Sequence, residues 1–253
     1  MTKQSSPRKS EFAQLRVVLV NARNPLNIGA AARAMSNFGF SHLRVVSPFE
    51  LAFREARSAV GAAPLLAQAE QFKSLAEGIA DCSLVVGTTA LSRRDPRHTV
   101  RDLQQGARMI RRRLGPGQVA LLFGSEKRGL SNEDLSHCHW LLRISTREEH
   151  RSMNLGQAVA VCLYELAREP KSSFVPAKPA LSTAGDLERL TSLWLEALQA
   201  SGYLKNSQGR SKPPSAAPAE EKVRRLIRRM NLSTGDAELL LGMLRQILWM
   251  LHS

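Results

Sequence analysis

The sequence predicts an α/β fold, built on a mostly parallel, Rossmann-like sheet with helices on both faces. From residue 16 to residue 168, short β-branched apolar runs alternate with longer segments of helical periodicity. An apolar run at 119–122 also leads directly into a loop that contains glycine. Strands that alternate with helices form parallel sheets, because each helix returns the chain to the same edge. A change of composition after Arg168 predicts a smaller helical extension at the C-terminus.

The individual elements follow from local patterns. In chain order, the predicted strands are 16–20, 43–46, 83–87, 119–123 and 140–144. The predicted helices between them are 27–37, 65–80, 100–114 and 154–168. Gly39 stands where the first helix should end, since glycine is the common residue after a helix C-terminus. Ser131 and Asp134 have the spacing of a capping box, which predicts the start of a further helix.

Composition divides the chain into four segments. Residues 1–14 are polar and basic and are predicted to form a flexible leader, followed by the sheet domain at 15–168. Residues 169–184 contain three prolines and are predicted to be a linker. Residues 185–253 are predicted to be a helical extension, with helices at 185–201, 220–230 and 235–251 and a flexible loop at about 206–219.

Basic residues outnumber acidic ones, which favours a polyanionic partner. Lys and Arg number 36 against 22 Asp and Glu, giving a net charge of +14 at pH 7. Lys222, Arg225 and Arg229 recur at i, i+3 and i+7, which predicts a basic face on one helix; a solvated amphipathic helix is the alternative. The candidate residues for contact with such a partner are Arg93, Arg94, Arg97, Lys127, Arg128, Lys222, Arg225 and Arg229.

Other classes of protein and site are disfavoured. No apolar run is long enough to span a bilayer, and the N-terminus has no secretory signal, so we expect a cytoplasmic protein without a membrane partner. The three cysteines include no C-x-x-C pair and are predicted to be reduced and mostly buried. Residues 137–139 read His-Cys-His, but adjacent side chains do not share a face, so no metal is expected.

The first segment with candidate chemistry, residues 24–33, joins a strand to a helix. Arg33 lies five residues after Ile28 and two before Met35, so it points away from the apolar side of this helix. It therefore faces solvent or a partner; an ordinary surface arginine is the alternative. A dinucleotide-binding loop would need G-x-G-x-x-G, and only Gly29 is present.

The second segment, residues 123–135, is the loop after the apolar run. Gly124 and Gly129 permit backbone conformations that let a ligand approach the main chain. Glu126 is a carboxylate beside two basic residues, and the alternative for it is a local ion pair of little energetic value. The third segment, residues 152–159, begins a long helix. Its Ser and Asn are good N-caps, and a helix N-terminus can also bind an anionic group.

Together, the three segments resemble the three signature motifs of the SPOUT superfamily of methyltransferases. In chain order, the matching runs are N-x-x-N-I-G-A-A-A-R-A-M, F-G-S-E-x-x-G-L-S-N-E-x-L and S-M-N-L-x-x-A-V. From about residue 15 to 251 the chain is similar to the TrmJ-type branch, which methylates the ribose 2′-hydroxyl of tRNA. The resemblance implies a trefoil knot at roughly 119–168, which general rules of chain topology would not predict.

The resemblance also implies a cofactor, S-adenosylmethionine (SAM), bound in the knot. The implied contacts are Thr88, Thr89, Ala90, Gly124, Ile144, Arg151, Ser152 and Met153, with Leu155 completing an apolar slot for adenine. Arg151 departs from the small residue that is common in this branch. The implied catalytic group is Arg33, with Asn27, Glu126 and Asn154 shaping the site.

The expected reaction is attack of a ribose 2′-oxygen on the methyl group of SAM, at nucleotide 32 of the tRNA anticodon loop. Arginine stays protonated in nearly all settings, so Arg33 is expected to clamp a phosphate rather than act as a base. The resemblance implies a homodimer, in which Arg33 of one chain serves the partner's pocket. The alternatives are methylation of another tRNA or rRNA nucleotide, and a non-catalytic RNA-binding protein on the same scaffold.

Overall fold

The central element of the fold is a parallel sheet. A computed structural model describes residues 12–48, 63–90, 98–115, 117–147, 149, 152–168, 180–204 and 216–252. Its strands are β1 (Leu15–Val20), β2 (His42–Val46), β3 (Glu70–Phe72), β4 (Leu84–Thr89), β5 (Val100–Asp102), β6 (Val119–Phe123) and β7 (Trp140–Arg143). In these residues the strands form one seven-stranded sheet in the order β3-β2-β1-β6-β4-β7-β5, and each neighbouring pair is parallel. The prediction of a mostly parallel sheet is confirmed.

Helices cover both faces of this sheet. The helices are α1 (Pro25–Phe38), α2 (Ala63–Ala67), α3 (Leu75–Gly78), α4 (Leu103–Arg111), α5 (Asn132–Ser136), α6 (Leu155–Ala167), α7 (Ala184–Ala200), α8 (Ala216–Met230) and α9 (Thr234–His252). Along β1, Val17 and Leu19 belong to one apolar cluster, together with residues of α1 and α6. Val18 and Val20 belong to a second cluster. Successive side chains of a strand point to opposite faces, so both faces of β1 are buried.

Local capping signals operate where the sequence predicts them. The side chain of Asn24 accepts a hydrogen bond from the backbone N–H of Leu26 and begins α1 two residues before the predicted start. Gly39 ends this helix in the left-handed conformation, at φ +80°. Ser131 and Asp134 form the predicted capping box at the start of α5. These signals are predictable because each depends on a few adjacent residues.

The predicted helices at 65–80 and 100–114 are partly wrong. In the first, β3 separates two short helices because it pairs with β2, where the Nε of Arg44 donates to a carboxylate oxygen of Glu70 at 3.0 Å. In the second, β5 pairs with β7 before α4 begins. Asp102 then caps α4, and its side chain accepts a hydrogen bond from the N–H of Gln105 at 2.8 Å.

The boundaries of the leader, linker and loop also differ from the prediction. Phe12, inside the predicted leader, stacks on Phe40 with ring centroids 4.4 Å apart. Residues 180–183, inside the predicted linker, are ordered, and Leu181 forms a β-bridge with Ser233. Helix α8 already begins within the predicted 206–219 loop. The remaining parts of these three segments, 1–11, 169–179 and 206–215, lie outside the described residues.

A buried polar network joins the helical extension to the sheet domain. Arg224 of α8 donates from Nη1 to the hydroxyl of Ser136 at 3.0 Å and from Nε and Nη2 to the carboxylate of Glu188 at 2.9–3.1 Å. Arg228, which is 1% exposed, donates to the carbonyl of Ala184 at 3.2 Å and to Glu188 at 3.4 Å. The extension is therefore fixed to α5 by directional contacts as well as by apolar packing.

The structure also bears on membranes, metals and thiols. Across the described ranges, no helix is both long enough and apolar enough to cross a membrane. No cluster of metal-ligating side chains occurs in the same part of the chain. Cys82, Cys138 and Cys162 are buried and free, as predicted.

Candidate functional site

A cavity of about 800 Å³ opens where strands β4, β6 and β7 end. The three strands are neighbours in the sheet and parallel, so their carboxyl ends lie at one edge. Ligands of open α/β sheets commonly bind at this edge. The volume is within the usual range for a small-molecule or cofactor site.

The predicted cofactor contacts come together in this cavity. The residues of that set that line it are Thr88, Thr89, Ala90, Gly124, Ile144, Ser152, Met153 and Leu155. Arg151 lies outside the described residues. The lining combines apolar residues of β7 and α6 with residues of the motif loops, which suits an adenine ring with hydrogen bonds at its edge. The lining therefore fits a nucleoside cofactor.

The loop after β6 is closed so tightly that Gly124 admits no side chain. A Cβ at Gly124 would lie 2.1 Å from the carbonyl carbon of Gly129 and 2.2 Å from the nitrogen of Leu130. Gly129 itself has φ +65°, a conformation that favours glycine, and its N–H donates to the carbonyl of Ser125 at 2.8 Å. The two glycines thus define the loop that carries Glu126.

Glu126 joins the second motif to the start of α1. Its carboxylate accepts hydrogen bonds from the N–H of Arg23 at 3.3 Å, the N–H of Asn24 at 3.1 Å and the side-chain amide of Asn27 at 3.1 Å. Burial alone would raise the pKa of Glu126, but these hydrogen bonds and one from its own backbone lower it below the usual value. The contacts lie about a hundred residues away, so the local ion pair considered as an alternative is not its main role.

Asn27 and Asn154 extend this arrangement across two helices. The Nδ2 of Asn154 donates to Oδ1 of Asn27 at 2.8 Å, and Asn27 in turn donates to Glu126. Oδ1 of Asn154 also caps α6 by accepting from the N–H of Gln157 at 3.3 Å. The cap at one end and the acceptor-only carboxylate at the other assign the orientation of both amides. Asn154, rather than Ser152, is the N-cap of this helix.

Of the four predicted catalytic residues, only Glu126 is among the described residues that line the cavity. Arg33 is exposed on α1, as its position on the helix predicts. The side chains of Asn27, Glu126 and Asn154 form one hydrogen-bonded chain. Arg33 is not among the described residues that line the cavity of its own chain.

The predicted basic residues fall into three groups. Lys127 and Arg128 are exposed at the mouth of the cavity, and Lys222 and Arg229 are exposed on α8. Arg93, Arg94 and Arg97 lie outside the described residues. The prediction that Arg225 belongs to an exposed basic face is wrong, because this residue is 7% exposed and lines the cavity. Its position on the helix is at the edge of that face, and the flank of α8 that carries it turns inward.

Sequence reasoning missed the cavity wall that His98 and Arg225 provide. His98 is 9% exposed and follows the segment that contains the predicted arginines. Burial, and then the charges of Arg225 and Arg229, lower the pKa of His98 to about 4. The only available signal was the proximity of His98 to a predicted basic loop, and that signal says nothing about burial.

The chain is similar to known RNA methylases over most of its length. The sequence profile of the SpoU rRNA methylase family matches residues 14–164. A tRNA (cytidine/uridine-2′-O-)-methyltransferase TrmJ from Sodalis glossinidius is 33% identical over 92% of this chain and 91% of its own. A tRNA (cytidine/uridine/adenosine-2′-O-)-methyltransferase TrmJ from Pseudomonas aeruginosa is 40% identical over 60% of each chain. The crystal structure of TrmJ from Zymomonas mobilis superposes with a TM-score of 0.78 at 28% identity, covering 92% of this chain and 98% of that one.

Proposed function

The chain belongs to the SpoU rRNA methylase family, and from that premise we propose that it is a tRNA (cytidine/uridine-2′-O-)-methyltransferase that uses SAM. The observation that carries the proposal is the convergence of the second and third motif segments on one cavity at the carboxyl edge of the sheet. The first motif segment is tied to the second through Glu126. These are the groups that the reaction needs in one place: a cofactor pocket and a polar site beside it.

SAM occupies the cavity in this proposal, with the residues named above as its contacts. When bound, it supplies a methyl group on a sulfonium, which a ribose oxygen can attack. Ile144, Met153 and Leu155 provide the apolar slot for the adenine. Gly124 keeps the loop close to the ligand, because a side chain there would meet backbone within 2.4 Å.

Arg33 acts on the substrate rather than on the cofactor. The 2′-hydroxyl is a weak nucleophile, and its orientation towards the methyl group matters as much as removal of its proton. A guanidinium presents several donors in a fixed plane, which suits a phosphate beside the reacting ribose. Held in this way, a phosphate oxygen is well placed to accept the proton.

The remaining polar residues position the site. Glu126 stays ionised because its carboxylate accepts several hydrogen bonds, and Asn27 and Asn154 connect it to α6. We assign them the role of holding the start of α1 against the cofactor loop. In this proposal the active unit is a homodimer in which Arg33 serves the partner's pocket. The proposal is supported by the exposure of Arg33 and by its absence from the lining of the cavity in its own chain.

The substrate is tRNA, and the proposed position is nucleotide 32 of the anticodon loop. The exposed Lys127, Arg128, Lys222 and Arg229 contact its phosphates, together with the arginines of residues 93–97. The proposal includes the trefoil knot at 119–168. This is supported by the strand order, in which β6 and β7 are each inserted between strands that are not their neighbours in sequence. It also divides the chain into a methyltransferase domain at 15–168 and a helical extension at 185–253, in a cytoplasmic enzyme.

Calorimetry with SAM and methyl incorporation into tRNA test the proposal. The wild-type protein should bind SAM and methylate tRNA, and mass spectrometry of the product should locate the methyl group at nucleotide 32. A methyl group at another nucleotide would favour the broader alternative within the same chemistry. Binding of tRNA without turnover would favour a non-catalytic RNA-binding protein instead.

Arg33→Ala separates the two parts of the site. We expect this variant to lose methyl transfer while its SAM affinity stays within a few-fold of the wild type, since Arg33 is outside the cofactor cavity. Loss of SAM binding would show that the residue is assigned wrongly. A mixture of Arg33→Ala with a protein that lacks a working cofactor pocket should recover part of the activity if the site is shared between subunits.

A further inference from the structure

One wall of the cavity comes from residues outside the three motifs. His98 and Arg225 line it together with the motif loops. Arg225 belongs to α8, so the helical extension reaches the pocket of the sheet domain. The extension therefore contributes a cationic group to the same space that holds the proposed ligand.

The position of Arg225 is fixed by its neighbours on α8. The residue before it, Arg224, is bonded to Ser136 of α5 and to Glu188 of α7. Arg228, one turn further along, is bonded to Glu188 and is almost fully buried. A helix held on both sides in this way presents Arg225 at a defined place, which a flexible surface arginine would not have.

The guanidinium of Arg225 suits an anionic ligand. Its Nη1 lies 3.7 Å from a carboxylate oxygen of Glu221, which is longer than a direct charge-assisted hydrogen bond. A guanidinium carries five N–H donors, so Arg225 can engage a further group while keeping its present contacts. It is 7% exposed, and at such a site an ionic contact is worth more than at the surface.

His98 adds a neutral polar group to this wall. Its low pKa leaves the imidazole neutral at physiological pH, so it adds no second charge beside Arg225. The Nε2 of His98 is buried, and the described residues offer it no hydrogen-bond partner. A buried polar atom in that state is expected to be satisfied when a ligand or water occupies the adjoining space.

We propose that Arg225 binds an anionic oxygen group in this cavity, either the carboxylate of the cofactor or a phosphate of the bound tRNA. The proposal rests on the function proposed above, since both groups belong to its ligands. It gives the helical extension a direct part in ligand binding, in addition to any contact of its outer face with RNA.

The test compares ligands that differ in the carboxylate. S-adenosylhomocysteine carries the amino acid carboxylate, and methylthioadenosine lacks the whole amino acid end; both have an uncharged thioether sulfur. Calorimetry would measure the affinity of both ligands for the wild type, Arg225→Gln and Arg225→Lys. Filter binding would measure the affinity of the same proteins for tRNA over a range of salt concentrations. Arg245→Gln, at an exposed position on α9, is the matched control for loss of one positive charge.

If Arg225 binds the carboxylate, Arg225→Gln should lower the affinity for S-adenosylhomocysteine at least tenfold and leave the affinity for methylthioadenosine unchanged. If it binds a phosphate, both nucleosides should bind as before, while tRNA binding weakens and its salt dependence drops by about one phosphate contact. Unchanged binding of all three ligands by Arg225→Gln overturns the proposal.

Two controls keep the result interpretable. A wild-type protein that binds neither S-adenosylhomocysteine nor tRNA would contradict the proposed function itself, not only the role of Arg225. If Arg225→Gln does not fold, Arg225→Lys decides, because lysine keeps the charge but loses the planar two-donor contact. For Arg225→Lys we expect an intermediate loss of affinity for whichever ligand Arg225 binds. Wild-type affinity of this variant for all three ligands would count against the proposal.

Discussion

Replacing Gly156 by alanine tests whether the close approach of α1 and α6 holds the polar site together. A Cβ at position 156 would lie 2.6 Å from the Cβ of Ala30 on the facing helix. Carbon atoms in contact prefer a separation of about 3.5–4.0 Å. The two helices must therefore move apart by about 1 Å, at a cost of about 1–3 kcal/mol for overpacking. Alanine's better helix propensity offsets up to about 1 kcal/mol of this.

The same movement reaches the site through Asn27 and Asn154. Their hydrogen bond spans α1 and α6 at 2.8 Å. A shift of about 1 Å stretches it beyond the range in which such a bond holds. One hydrogen bond is worth about 1 kcal/mol, and 1.36 kcal/mol is tenfold in rate. We therefore expect methyl transfer by Gly156→Ala to fall about fivefold to tenfold, measured by single-turnover incorporation into a tRNA transcript.

Ala30→Gly in the same chain should restore the rate. Without the Cβ of Ala30, the nearest atoms to a Cβ at 156 are Oδ1 of Asn154 at 3.4 Å and the carbonyl carbon of Ala30 at 3.6 Å, both ordinary contacts. Ala30→Gly alone is the control for loss of helix propensity, and urea unfolding checks that each variant folds. A wild-type rate for Gly156→Ala, or a folded double variant as slow as the single one, would refute the reasoning.

Three further outcomes are expected. Glu188→Ala leaves Arg228 buried without its carboxylate partner and should lower the free energy of unfolding, measured with urea, by about 3 kcal/mol. Glu196→Ala, at an exposed position, is the control and should leave the urea midpoint unchanged. Burial and the charge of Arg228 lower the pKa of His139 to about 3 in the folded protein, whereas histidine in the unfolded chain titrates near pH 6.5. Below about pH 6.5 the unfolded state therefore binds more protons than the folded state, and the free energy of unfolding should fall as the pH is lowered. A urea midpoint that stays constant below about pH 6.5 would contradict this. Gly124→Ala should abolish SAM binding, since its Cβ meets backbone; Gly115→Ala, with nothing within 4 Å, is its control in calorimetry.

The sheet and its helix caps were predictable because their signals are local or periodic. Strand β6 is apolar throughout and β1 is apolar except for Arg16, since both faces of these strands are buried. Asn24, Gly39 and Ser131 act on the backbone within a few residues, and the sequence shows those residues side by side. The cofactor set follows from the resemblance of motifs, and its members that the structure describes do line one cavity.

The features that sequence reasoning missed depend on pairing between distant residues. Strand β3 has three residues, and its conformation is decided by β2, where Arg44 meets Glu70. Arg225 was expected on a solvated face because charged residues are usually exposed. Its neighbours Arg224 and Arg228 are buried on the same helix against Glu188, which lies about forty residues earlier in the sequence.

The arginines that attach α8 have an evolutionary consequence. Ser136 and Arg224 lie 88 residues apart in the sequence, yet they are hydrogen-bonded to each other, and the helix they fix completes the wall of the pocket. Loss of the last three helices by truncation would leave a sheet with its strands intact and a groove open on one flank. We therefore expect shortened homologues to carry a substitute group beside His98, and lineages that change Ser136 to change Arg224 as well.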